Sequence, residues 1–167
     1  MTFLHLFRLH RMLPIACCAL ALVIASCSDD DPVAPQPWEY AGIEDRVLTL
    51  VNDYRATLGL GRLESNDVIR RVARTHSGNM ADGTTAFGHD GFEGRVVEIQ
   101  KSITISAAAE NVAYNSGYSD PAQTAFNGWI NSPGHKANIE GSYTLTGIGV
   151  DKHSDGRYYL TQIFIRQ

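Results

Sequence analysis

Cysteine is scarce in this chain: there are three among 167 residues, and Cys17, Cys18 and Cys27 all lie near the N-terminus. From Ser28 onward no disulfide can form, so any fold there must rest on its apolar core rather than on covalent staples. A membrane-length apolar run is also missing. The run Met12–Ala25 is interrupted by Pro14, and it is too short to cross a ~30 Å hydrocarbon layer, which takes about 20 helical residues. Clusters of basic residues are missing too. With 14 Lys and Arg against 18 Asp and Glu, the net charge is −4, which argues against nucleic acid as a partner. There is no repeat, no His-Glu-x-x-His and no Gly-x-Ser-x-Gly, so neither a zinc-protease helix nor a nucleophile elbow supplies a ready mechanism.

What is present begins with an export signal. Arg8 and Arg11, with no acid nearby, precede the apolar run, and a polar tract follows it at once. Ile24-Ala25-Ser26-Cys27 resembles a bacterial lipobox, in which the cysteine is acylated and the chain is cut before it. A short buried helix and a plain secretory signal cut near Ala25 are the competing readings. Cysteine accounting favours the lipobox, because the mature chain would then hold one cysteine, at its own first residue. Several acyl chains, at about 0.8 kcal/mol per buried CH₂, anchor a protein stably where one chain does not. The expected location is therefore the bacterial cell envelope, on its extracytoplasmic side. Ser28 rather than Asp after the cysteine is compatible with sorting to an outer membrane or cell surface.

Ser28-Asp29-Asp30-Asp31 and the Pro-rich stretch to Pro37 read as a solvated tether, kept extended by its prolines. The expected organisation is thus a signal at 1–26, a lipidated cysteine and tether at 27–40, and one domain at 41–167. Removing 1–26 takes two Arg and no acid, which moves the net charge from −4 to −6. About 125 residues remain beyond the tether, enough for a single core.

Along that domain, Ile43, Val47, Leu50, Val51, Tyr54 and Leu58 fall at helical spacing, and Gly59 and Gly61 end the helix. Asn66 or Ser65 caps a second helix with Val68, Val72, His76 and Met80 on one stripe. A glycine-rich loop follows, then a short helix around Arg95–Gln100. Asn111–Tyr114 reads as a brief strand. Ser119-Asp120-Pro121 opens another helix, with Pro in its first turn and an acid suited to the helix dipole. Ser132-Pro133-Gly134 breaks it. Thr144–Val150 and Tyr158–Ile165 are β-branched and aromatic runs joined through Asp155-Gly156, a hairpin signal. Helices first and strands last indicate an α+β layer arrangement.

Four histidines lie beyond the signal. His76 sits on an apolar helix stripe and reads as a hydrogen-bonded core residue, and His153 adjoins a turn and reads as solvated. His89 and His135 lie in glycine-flanked stretches where packing does not call for an imidazole, and loops on a rigid scaffold are where function concentrates. Glu110 stands among small residues with few other charges, so it needs a partner, which a histidine pair would supply. His89, Glu110 and His135 are the candidate site. Two imidazoles and a carboxylate suit a divalent cation such as zinc with one position open, or a general base with its orienting group. Their spacing matches no compact ligand signature.

Glu110-Asn111-Val112-Ala113 resembles the Gly-Glu-Asn-(Ile/Leu)-Ala motif of the CAP superfamily, the cysteine-rich secretory, antigen 5 and pathogenesis-related 1 proteins. Val51–Arg55, Val72–Ser77 with Met80, Phe87-Gly88-His89, Trp129–Ile139, Gly147–Val150 and Tyr159–Phe164 resemble its other motifs, in order, over residues 43–167. The Trp129–Ile139 run is of the bacterial type. The resemblance implies a three-layer α-β-α sandwich of the CAP or SCP type. It also implies a cleft lined by two His and two Glu that in some members binds zinc or another divalent cation. His89 and Glu110 match one His and one Glu of that set. The second His position holds Tyr159, the second Glu position holds Ser132, and Ala109 stands where glycine is usual. His135 belongs to the bacterial motif and offers an imidazole from another backbone position. The expected function is a non-enzymatic binding module for a small ligand, lipid, peptide or divalent cation, with no cofactor required. The alternative is a hydrolase that activates water with the same residues.

Overall fold

The computed structural model describes residues 39–167; the signal, the Cys27 lipobox and most of the tether lie outside them. Helix α1 (Ala41–Thr57) buries Glu44, Val47, Val51, Asn52 and Arg55 on one face and stops at Leu58, after which Gly59 turns with φ 69°. Arg55 donates to the carbonyls of Gly61, Ile139 and Gly141 at 2.8, 2.6 and 2.9 Å, clamping the end of α1 to the chain's later half. A two-residue strand β1 (Glu64–Ser65), unforeseen in the sequence, leads to α2 (Asp67–Ala81). Asn66 caps α2, its Oδ1 accepting from Val68 N at 2.9 Å and Ile69 N at 3.3 Å. Helix α3 (Phe92–Gln100) starts three residues earlier than the expected Arg95.

Strand β2 (Ala107–Asn115) is nine residues long rather than the brief Asn111–Tyr114 element expected. Its alanines hid it, since Ala has low strand preference; pairing with a neighbour along its whole length decides the conformation. Helix α4 (Pro121–Ile130) is capped by Asp120. Ser132-Pro133-Gly134 does end α4, but it also begins a further helix, α5 (Pro133–Glu140), because Pro is suited to a first helical position. His135 is therefore a helical residue, not a loop residue. The expected hairpin is formed by β3 (Leu145–Lys152) and β4 (Tyr158–Arg166).

The sheet runs β1-β3-β4-β2, with β1 parallel to β3 and the rest antiparallel. Alternate residues of β3 and β4 face opposite layers. Ile148, Val150, Leu160 and Phe164 meet Val47, Val51, Trp129 and Ile139 from α1, α4 and α5. Ile163 and Ile165 meet Ile69, Val72, Ala73 and Ile99 from α2 and α3. This is the three-layer α-β-α sandwich expected, and it leaves β2 as an edge strand.

On β3, Gly147 and Gly149 permit α2 to lie directly on the sheet. A Cβ at 149 would stand 2.1 Å from Arg74 N, and one at 147 would stand 2.2 Å from Arg70 N. Helix backbone cannot yield as a flexible side chain would. Gly149→Ala should therefore cost about 3 kcal/mol, roughly 10 °C in Tm by thermal melt, as overpacking of a rigid contact does. Gly128→Ala, with nothing within 4 Å of its Cβ on α4, should raise Tm through better helix propensity.

Candidate functional site

Glu110 is in the middle of β2 with 1% of its side chain exposed, and a buried carboxylate must be paired or neutralised. Its main partner is Arg95, from the second turn of α3. Arg95 Nε donates to Oε2 at 2.7 Å and Nη2 to Oε1 at 2.7 Å, a two-bond fork matched to the carboxylate. His89 Nδ1 lies 3.0 Å from Oε1. The histidine pair expected around Glu110 is thus one histidine and an arginine. Arg95 was missed because it is an ordinary surface-type residue in its own helix; only the need of a buried carboxylate for a cation points to it.

The loop carrying His89 is held on both sides. Arg95 also donates to the carbonyls of Asp90 and His89, at 2.9 and 3.3 Å. His76, 3% exposed, donates Nε2–H to Gly88 O at 2.9 Å, as expected for a core histidine. Its pKa is pushed down from 6.5, chiefly by burial. His153 lies at the hairpin with its side chain 37% exposed, beside Asp155 at 2.8 Å.

His135 reaches the same place from the opposite layer. Its ring centroid is 6.3 Å from that of His89. Its pKa is pushed below 6.5 by burial first and by the proximity of His89 second. Asn111 donates to His135 O at 3.0 Å, while Asn138 donates to Asn111 Oδ1 at 2.9 Å and to Glu110 O at 3.2 Å. This asparagine chain sews α5 to the edge of β2. All three candidate residues therefore meet at one place, straddling the outer edge of β2, with Asn111, Asn138 and Arg95 as their supports.

With Glu110 ionised, the His89 proton lies on Nδ1 and Nε2 faces outward. Both Glu110 oxygens are engaged by the guanidinium, and the positions where further ligands would stand are Tyr159 and Ser132. Tyr159 lies in an aromatic group with Phe87 and Tyr114, and Ser132 is the N-cap of α5. Among the described residues no group of three or more His, Cys, Asp or Glu is arranged to hold a metal ion. The residues present do not fit the zinc site that the resemblance implies, because Arg95 already supplies Glu110 with its cation.

Beside the two histidines runs a groove of about 590 Å³ between β2 and α4. Val112–Ser116 form one wall, Thr124, Ala125, Gly128 and Trp129 the other, and Ser132 and His135 close one end. Trp129 is fully buried and donates Nε1–H to Val112 O at 3.0 Å. Phe87, Tyr114 and Tyr118 line the groove while 47%, 52% and 60% exposed.

A model of the cysteine-rich secretory protein family, CAP, matches residues 48–164. The chain belongs to the CAP family. Membrane protein YlbC of Bacillus subtilis is 37% identical over 130 residues, covering 74% of this chain and 34% of YlbC. An extracellular SCP-domain protein of Bacillus anthracis is 31% identical with TM-score 0.60, over 76% of this chain and 41% of that one. An outer surface protein of Borrelia burgdorferi shares the fold at TM-score 0.63 and 21% identity, over 77% of this chain and 96% of that one. The chain spans only a third of YlbC and about half of YkwD, a second B. subtilis relative. In this CAP domain, then, the tryptophan and asparagines of the family-like motifs bind α4 and α5 to the edge of β2.

Because His76 has a folded pKa below its ordinary 6.5, the unfolded chain binds more protons as pH falls through this window. Its contribution is complete above 6.5 and is lost as pH drops through the folded value. Tm should therefore fall between pH 7 and pH 5. His76→Gln, which keeps a donor for Gly88 O, should make that fall shallower in melts across the range.

Proposed function

We propose that this CAP domain is a non-catalytic binding module, held at the bacterial envelope by lipid on Cys27, that takes an organic ligand in the groove between β2 and α4. The observation that carries the reading is the groove itself. Its volume lies within the ~300–1,000 Å³ of ligand pockets, its rim exposes three aromatic rings, and His135 is its one ionisable end group apart from tyrosines. The envelope location is supported by relatives described as a membrane protein and an extracellular protein.

The competing reading is a hydrolase in which His89 Nε2 takes a proton from water. Its support is the Nδ1 contact to a buried carboxylate, which is how a general base is oriented. Against it, the Arg95 fork already offsets the charge of Glu110, which weakens the pull on the imidazole proton. A divalent cation is disfavoured for the same reason.

Gly128→Leu tests the reading, because the new side chain enters the groove from a helical position with nothing within 4 Å of its Cβ. Ligand-observed NMR of the full chain in detergent, with a panel of short neutral peptides and aromatic amphiphiles, should show binding that Gly128→Leu abolishes. Tm should hold or rise, since Leu exceeds Gly in helix propensity by about 0.8 kcal/mol. Binding unaffected by Gly128→Leu overturns the groove, and ester or peptide turnover lost in His89→Ala favours the hydrolase.

The anchor has its own check. Mass spectrometry of the N-terminal peptide from membranes should find acylated Cys27 as the first residue. An unmodified Cys27, or residues 1–26 still attached, overturns it.

A further inference from the structure

We infer that the ligand of this groove is an extended peptide, added as a strand along the outer edge of β2, antiparallel to it, with its C-terminal carboxylate at the His135 end. The inference rests on the groove-binding reading and names its ligand class. It starts from the hydrogen-bonding direction of β2. In an antiparallel ladder the N–H and C=O of one residue point the same way, and successive residues alternate between the two sides. Val112 O accepts from Trp129 Nε1 and Glu110 O accepts from Asn138 Nδ2. Glu110, Val112 and Tyr114 are therefore the residues whose main-chain groups face away from β4.

Among the described residues no strand lies beyond β2 in the sheet. The outward carbonyls of Glu110 and Val112 are taken by the side chains just named. At Tyr114, among the described residues, nothing bonds the outward N–H and C=O, and this is where the strand forms the groove wall. Proteins ordinarily blunt a bare edge with charge, proline or a covering element. Here, among the described residues, no acid, lysine or arginine lines the groove. An edge left open, uncharged and flanked by a helix matches the way extended peptides are bound by strand addition, in which main-chain bonds give affinity and flanking surfaces read alternate side chains. Phe87, Tyr114 and Tyr118 are such surfaces.

The direction follows from the hydrogen-bonding groups that close one end of the groove. The groove is closed at one end by His135, with His89 beside it, and the buried acid at that end, Glu110, is already paired to Arg95. That end offers the His135 imidazole N–H to an anion, while the N–H of His89 is already committed to Glu110. The edge is also closed there by Trp129 and Asn138, so a peptide strand has to terminate, and a terminus that meets a donor is a carboxylate. A lipid or other apolar ligand would use the aromatic rim but would have no need of the Tyr114 main chain.

The experiment uses the full chain in detergent and a random heptapeptide library with free C-termini, followed by anisotropy on the enriched sequences. Tyr114→Ala removes the ring and keeps the N–H. Tyr114→Pro also removes the N–H, which faces away from β4 and is not a ladder donor, and proline is tolerated at such edge positions. Strand addition predicts that Tyr114→Pro binds about tenfold more weakly than Tyr114→Ala, the worth of one main-chain hydrogen bond. Amidating the peptide C-terminus should weaken binding by a similar factor. If Tyr114→Pro melts below Tyr114→Ala, the same comparison is made on the unaltered protein with peptides N-methylated one residue at a time, of which the one opposite Tyr114 should lose binding while its two neighbours keep it. Enriched peptides indifferent to both backbone changes overturn strand addition. If no peptide is enriched but aromatic amphiphiles bind and Gly128→Leu abolishes it, strand addition fails and the binding-module reading stands. If neither class binds, both fail.

Discussion

A carboxylate placed in the middle of a strand with almost no solvent contact must be compensated where it stands, and the architecture around Glu110 follows from that. Isolated burial of a charge costs many kcal/mol, and a partner is tolerable only with good geometry. The guanidinium of Arg95 meets both oxygens and, with its remaining donors, holds the carbonyls of the loop before α3. The same arrangement aims His89 at Glu110 and sets its proton on Nδ1. One ion pair thus locates α3, shapes the loop between α2 and α3, and orients an imidazole.

The opposite layer is attached to the same strand by different chemistry. Asn111, Asn138 and Trp129 donate neutral hydrogen bonds that fasten α4 and α5 to β2. The edge strand is therefore held from both faces over its first half and left facing a groove over its second. The site lies where two rigid layers meet, which is a setting in which ligand pockets recur. Close packing makes this possible. Gly147 and Gly149 let α2 sit on the sheet, and the clamp from Arg55 ties α1 to the end of α5 and the segment before β3.

The helices α1, α2 and α4 and the closing hairpin were legible because their signals are local: apolar spacing, Asn66 and Asp120 as caps, and Asp155-Gly156 between two β-branched runs. Strand β2 was only partly legible, and helix α5 was not read at all. Ala107-Ala108-Ala109 has the composition of a helix, and only pairing with β4 overrides it. Ser132-Pro133-Gly134 serves at once as a stop for α4 and a start for α5, and α5 is then fastened to β2 through Asn138 and Asn111. The convergence of His89, Glu110 and His135 was expected from motif resemblance and chemistry. The role of Arg95 was not, since nothing in its local sequence marks it as the partner of a residue fifteen positions away.

By itself the sequence determined the class of fold, the family-like motifs, and the residue types gathered at the site, because hydrophobic period, caps and turns act over a few residues. Only the tertiary structure decided what those residues are bonded to. The cation that Glu110 holds, the side of β2 that stays open and the distance between two histidines on opposite layers arise from contacts across the sheet. Such contacts are settled by close packing and by the need to satisfy buried polar groups, and neither leaves a mark on neighbouring positions in the chain.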